Sequence, residues 1–214
     1  MKDRAIKIAE YLLQIKAIKL QPSNPFTWAS GLRSPIYCDN RKTLSFPEVR
    51  TFIRDSFAEI IKDSYPQAEI IAGVATGAIA HGALVAEALG LPFIYVRSGA
   101  KEHGLGNQIE GYYEPRQKVV VVEDLISTGG SSLGAVRALR EAGCVVLGMT
   151  AIFTYEFKRA AEAFASENCG LHTLGNYTTL VHIAADSGYI TSAETAILEK
   201  WREDPSSWGV PASH

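Results

Sequence analysis

Cysteine is scarce in this chain: Cys38, Cys144 and Cys169, an odd number without CxxC spacing, among 214 residues. That usage excludes a disulfide framework and a structural zinc site and fits a reducing, cytoplasmic setting. Neither sign of charge dominates: 21 Lys plus Arg against 23 Asp plus Glu leave a net charge of −2. There is thus no basic field of the kind that gathers nucleic acid, and a small ligand is the expected partner. Unbroken apolar runs of membrane-spanning length are missing too. Ile70 to Ala86 carries no charge, but Thr76, His81, Gly73, Gly77 and Gly82 interrupt it, and it falls short of the ~20 residues a span needs. The N-terminal stretch MKDRAIKIAEYLLQIKAI is charged throughout and lacks the apolar core of a secretory signal.

What is present reads as one globular domain over residues 1–214, with 47% apolar and 21% charged residues. Ala5, Ile8, Ala9, Leu12 and Leu13 recur at helical spacing. Continuous β-branched runs at Ile70–Val74, Phe93–Val96, Val119–Val122 and Val145–Phe153 predict strands buried on both faces. Helical patterns lie at Pro47–Tyr65, Ile79–Leu89, Ser131–Ala142 and Tyr155–Asn168. Alternation of strand and helix predicts an α/β fold, a doubly wound parallel sheet. Residues about 20–45 and 170–200 fall outside that alternation and are expected to form a small N-terminal/C-terminal cap, or hood. Residues 204–214, with two prolines and a glycine, are expected to be a loose tail.

The most informative stretch is KVVVVEDLISTGGSS, Lys118–Ser132: a buried strand ending in two acids, a loop of hydroxyls and glycines, then a helix. Ligands of open α/β sheets bind beyond the carboxyl ends of the strands, where Glu123 and Asp124 fall. Ser127, Thr128, Gly129, Gly130 and Ser131 can offer several backbone N–H groups to a phosphate, reinforced by the helix N-terminus. The plain alternative is a Ser/Thr helix cap beside solvated acids. No lysine follows the glycines as GxxxxGK[ST] requires, and no GxGxxG follows a strand. Two carboxylates beside a phosphate would repel it unless they face sugar hydroxyls or a developing positive charge, which points to a ribose 5-phosphate. A second stretch, RSGAKEHG, places Arg97, Lys101 and His103 within seven residues among Gly99, Gly104 and Gly106. Such a loop can close over a leaving anion and exclude water. The remaining histidines have no metal-like spacing, so no protein-held metal is expected.

Lys118–Ser132 resembles the phosphoribosyl-diphosphate (PRPP) motif of type I phosphoribosyltransferases. RSGAKEHG resembles the mobile basic loop of the orotate phosphoribosyltransferases, and FTWASGLRSPIYCDNR, Phe26–Arg41, resembles their N-terminal substrate segment. The three motifs cover about residues 20–155 in the expected order. The resemblance implies the type I phosphoribosyltransferase fold and transfer of the phosphoribosyl group from PRPP to orotate, giving orotidine 5′-monophosphate and diphosphate in pyrimidine synthesis. It implies catalytic roles for Lys101, Glu123 and Asp124. PRPP would be bound by Arg97, Lys101, His103, Glu123, Asp124, Leu125, Ile126, Ser127, Thr128, Gly129, Gly130 and Ser131; orotate is expected to be held by Ser127, with Tyr37 and Tyr155 as further candidates whose equal alternative is aromatic packing under the cap. It further implies Mg2+ carried mainly by PRPP, and a homodimer whose loop residues act in the neighbouring subunit.

The chain departs from the pattern of some members at three places. Ser98 stands where they have a second lysine, no lysine lies near Gly77, and Tyr155 takes the place of an arginine that holds the orotate carboxylate. Arg41 and Lys42 are the cations expected to compensate. The rival readings are a purine-salvage phosphoribosyltransferase, which leaves RSGAKEHG and FTWASG without a rationale, and a non-catalytic PRPP-sensing regulator.

Overall fold

The computed structural model describes residues 2–27, 33–97, 99 and 108–208. Lys101, His103, Ser98 and residues 28–32 and 209–214 lie outside them. The chain opens with α1 (Lys2–Gln14), whose Ile8, Ala9, Leu12 and Leu13 are buried as their spacing predicts. Four short strands follow: β1 (Ile18–Leu20), β2 (Phe26–Thr27), β3 (Arg33–Ser34) and β4 (Ile36–Cys38). They pair antiparallel as β1 with β4 and β2 with β3. A 3₁₀ segment, Asn40–Ser45, leads into α2 (Pro47–Ser64), where proline occupies the first turn and loses no helical hydrogen bond.

The alternating core then runs β5 (Ile70–Val74), α3 (Ile79–Leu89), β6 (Phe93–Val96), β7 (Ile109–Glu110), β8 (Lys118–Ile126), α4 (Gly130–Glu141), β9 (Val145–Thr154), α5 (Lys158–Ser166), β10 (Leu171–Asn176), α6 (Tyr177–Asp186) and α7 (Ser192–Glu203). The six-stranded sheet has the order β10-β9-β8-β5-β6-β7. Every neighbouring pair is parallel except β6 with β7. Alternate residues of β8 feed opposite faces: Val120 and Val122 join the layer of α1, α2, α6 and α7, while Val119 and Val121 join that of α4 and α5.

Three expectations need correction. Leu171–Asn176, assigned from sequence to the cap, is a strand of the central sheet, paired with β9 from Leu171–Met149 to Asn176–Thr154, and α6 continues the alternation. The strand before the phosphate motif does not end at its acids: β9 is long enough to pair with it through Ile126. The helix expected at Tyr155–Asn168 begins only at Lys158. Glu156 there has a φ of 58°, and Tyr155 and Phe157 are drawn into an aromatic cluster with Trp201 instead.

Candidate active site

The cleft forms where β5 and β8 part. They pair from Ile70–Val119 to Gly73–Val122, after which β8 continues beside β9 alone. β5 turns away at Val74 into a loop that contains a cis Ala75–Thr76 peptide. Between the diverging chains lies a cleft of about 410 Å3, lined by Val74–Gly77, by Glu123, Asp124 and Leu125, by Ser127–Gly129 with Ser131 and Ser132, and by Cys38, Asp39 and Arg41. This is the carboxyl end of the parallel strands, the place such sheets use for ligands.

The loop read from sequence as a phosphate cradle turns sharply into α4 at Gly129, whose φ is 83°. A β-carbon there would also meet the Phe164 ring at 3.1 Å. No side chain caps α4, so its first N–H groups and partial positive charge are left for a ligand. That removes the plain helix-cap alternative. The hydroxyls of Ser127, Thr128 and Ser131 likewise have no hydrogen-bond partner among the described residues.

The two acids occupy different environments because adjacent residues of a strand face opposite ways. Glu123 is 5% exposed; its Oε2 accepts from the Ser132 hydroxyl at 2.8 Å and its Oε1 from the Asp124 N–H at 2.9 Å. Burial, then the neighbouring Asp124 charge, pushes its carboxyl well above the ordinary range. Asp124 is half-buried and its carboxylate lies against Gly77, where a β-carbon would fall 2.6 Å from Oδ1. Behind it, the Asn40 amide donates to the Asp124 carbonyl at 2.6 Å. Asn40 is in turn tied by Thr43 to His81 Nε2, 3.1 Å from the Thr43 hydroxyl. Burial holds His81 at about 4, so the imidazole is neutral at pH 7.

Of the residues singled out from sequence, Glu123, Asp124, Leu125, Ser127, Thr128, Gly129 and Ser131 share this one cleft, and Gly130 opens α4 beside it. Ile126 does not present its side chain there: it is fully buried under α4 and its carbonyl accepts from Tyr155 N–H. Tyr155 does not line the cleft either; it is 3% exposed and packed among Phe153, Phe157, Tyr177 and Trp201. Tyr37 is 40% exposed beside the cleft, its ring against Phe26. Arg41 reaches the cleft while paired with Asp39, Nε to Oδ1 at 2.7 Å. Lys42 is committed elsewhere, its ammonium donating to the carbonyls of Ile15 and Lys16 just beyond α1. Arg97 stands at the base of the basic loop, where its N–H donates to Gln108 O and its guanidinium lies 3.6 Å from Glu110. Asn40, Thr43, His81 and Ser132 receive no role from sequence: Asn40 and Ser132 lie inside the quoted motifs without being singled out, and the Asn40–Asp124 and Thr43–His81 contacts join residues 84 and 38 positions apart.

Comparison with known proteins agrees with this geometry. Residues 45–169 match the phosphoribosyl transferase domain family. The orotate phosphoribosyltransferase of Phocaeicola vulgatus is 57% identical over 97% of this chain and 98% of its own length. That of Bacillus caldolyticus is 57% identical over 94% and 98% respectively. The crystal structure of orotate phosphoribosyltransferase from Aeropyrum pernix superposes with a TM-score of 0.74 at 28% identity, over 86% of this chain and 99% of that one. With kinship of this extent, the chain belongs to the orotate phosphoribosyltransferases.

Proposed function

We propose that phosphoribosyl transfer to orotate takes place in the cleft between β5 and β8, with the groups there acting as follows. The observation that carries the reading is the uncapped N-terminus of α4 sharing one cleft with Glu123 and Asp124. The 5-phosphate of PRPP sits on Ser127–Ser131, held by backbone N–H groups and hydroxyls. Asp124, the half-buried acid facing the cleft, holds a ribose hydroxyl and stabilises positive charge on the ring as the bond from C1 to diphosphate breaks, while Glu123, held by Ser132 and the Asp124 N–H, offers its remaining lone pairs to the other hydroxyl. A ring nitrogen of orotate forms the new bond at C1, and the electrons of the broken bond leave with diphosphate. Arg97, Lys101, His103 and Arg41 serve that leaving group. Ser127 and Tyr37 remain the proposed orotate contacts.

Magnesium fits as a cation carried by the phosphates of PRPP. Glu123 is already engaged by Ser132 and a backbone amide, and among the described residues no three His, Cys, Asp or Glu side chains cluster to hold a metal. When bound it supplies charge neutralisation at the diphosphate. A homodimer in which Lys101 and His103 act in the neighbouring site is the proposed assembly. Tyr112, 78% exposed beside the short edge strand β7, supports an interface on that side. A cytoplasmic location is supported by three free cysteines. Among the described residues no helix is long and apolar enough to cross a membrane.

The test is loss of orotate absorbance on mixing the protein with orotate, PRPP and magnesium, with adenine, hypoxanthine and uracil in parallel. Orotate alone is expected to be consumed, and only when PRPP and magnesium are both present. Consumption of a purine instead, or of no base despite saturable PRPP binding, would overturn the reading. Mixing Lys101→Ala with Asp124→Asn subunits tests the assembly: activity regained in the mixture is expected, and none means that the loop serves its own subunit.

A further inference from the structure

We propose that Asn40 is a positioning residue for phosphoribosyl transfer: its side-chain amide takes the place of β5 along the edge of β8 and sets where Asp124 stands relative to the segment carrying Tyr37, Cys38 and Arg41. The inference rests on the reading of this cleft as the reaction site.

Beyond the Gly73–Val122 pair, the edge of β8 has lost its sheet partner. At Asp124 both backbone groups are satisfied by side chains instead: the N–H donates to Glu123 Oε1 at 2.9 Å, and the carbonyl accepts from Asn40 Nδ2 at 2.6 Å. A carbonyl can only accept, which fixes the orientation of the amide. Its Oδ1 is then left to take the Cys38 thiol, at 3.4 Å. Asn40 is 1% exposed, so no water competes for these bonds. The Thr43 hydroxyl donates to Asn40 O at 2.6 Å and meets His81 of α3. The 3₁₀ segment is therefore gripped by α3 on one side and by β8 on the other.

The phosphate cradle is held independently. Past Asp124, β8 stays in register with β9 through Leu125–Phe153 and Ile126–Thr154, so Ser127–Ser131 keep their place without Asn40. Removing the amide donor frees the segment of Tyr37 and Arg41 to drift from the ribose-side acid while the 5-phosphate of PRPP stays anchored. Misplacement of about 1 Å at a reacting pair costs roughly 100-fold in rate. The signature is thus a loss in kcat without a matching loss of PRPP affinity.

The experiment compares full-length wild type, Asn40→Ala and Asn40→Leu, the last filling the same volume without a donor. Arg50→Met is the control, because Arg50 Nη1 donates to Leu44 O and steadies the same 3₁₀ segment without touching β8. Kcat, both KM values, PRPP affinity by calorimetry and melting temperature are measured. Turnover of orotate by the wild type checks the functional reading separately. The expected result is a fall in kcat of about 30–100-fold in both Asn40 variants, PRPP affinity within ~3-fold of wild type, and Arg50→Met close to wild type in kcat. The proposal is overturned if a folded Asn40→Leu keeps kcat within ~3-fold, if PRPP affinity falls in step with kcat, or if Arg50→Met loses as much. If neither Asn40 variant folds, the residue is structural and the proposal fails.

Discussion

Gly77→Ala is the smallest change that tests the geometry of the cleft. Gly77 is on the β5 side and meets Asp124 of β8 across the gap, with no left-handed backbone to complicate the substitution. A β-carbon at this position falls 2.5 Å from Asp124 Cγ and 2.6 Å from Oδ1. Ordinary contact begins at 3.4 Å and the other carboxylate oxygen, Oδ2, lies nearer still, so one wall must give by about 1 Å. The Asp124 backbone is pinned by Asn40 and by the Glu123 carboxylate, so the displacement passes to the carboxylate or to the Ala75–Gly77 turn. At about 100-fold for a 1 Å error, kcat/KM for PRPP should fall by roughly two orders of magnitude, about 2.7 kcal/mol of transition-state stabilisation. Stability should change far less, because the clash lies at an open cleft; a loss below about 1 kcal/mol lowers Tm by no more than ~2–4 °C in a chain of this size. Orotate absorbance at varied PRPP gives the first quantity and differential scanning the second. A folded Gly77→Ala protein with kcat/KM within ~3-fold of wild type would refute the close approach of the two walls, or the role of Asp124.

Three other outcomes are expected. Lys101→Ala should lower turnover far more than it lowers Tm; equal loss of both would count against a catalytic loop. His81 titrates at about 4 in the folded protein against 6.5 when exposed. Its contribution to stability is therefore complete above pH 6.5 and lost as pH falls toward 4, by about 3 kcal/mol. Urea unfolding at both pH values should show this loss in wild type but not in His81→Gln, and parallel curves would dismiss it. Arg202 bonds the Thr178 hydroxyl at 2.6 Å and pairs with Glu156 at 3.4 Å, latching α7 to the turn after β9. Arg202→Met should cost about 1 kcal/mol in chemical denaturation, and no change would mean that the packing of Trp201 alone holds the helix.

Sequence and structure agree where the physical signal is local. Ile70–Val74 and Phe93–Val96 are strands at the positions their apolar runs mark, since burial on both faces leaves no polar alternation. Ile79–Leu89 is a helix ended by Gly90 with a φ of 66°. The last two residues of β8, Leu125 and Ile126, fall outside the strand read from sequence because the two acids before them break the apolar run; only β9, already in register, extends it through them. The strand at Leu171–Asn176 was hidden by His172, Thr173, Gly175 and Asn176, tolerated at a half-exposed sheet edge. Within the site, the acids and the glycine loop are contiguous and could be read directly. Asn40 lies in the quoted segment Phe26–Arg41, but its role could not be read there, since its partner is 84 residues away.

The first helix has a consequence for how the chain is made. α1 packs on β10 and α6, with Ile8 close enough to Gly175 that a β-carbon there would lie 2.6 Å from the Ile8 side chain. Synthesis runs from the N-terminus, so the apolar stripe of Ile8, Leu12 and Leu13 emerges long before the surface that covers it. Until β10 and α6 arrive, that stripe is bare on a nascent chain, a place for a chaperone to hold or for aggregation to start. Weakening the Ile8–Gly175 contact should therefore reduce soluble yield in cells more than its effect on the finished protein would indicate.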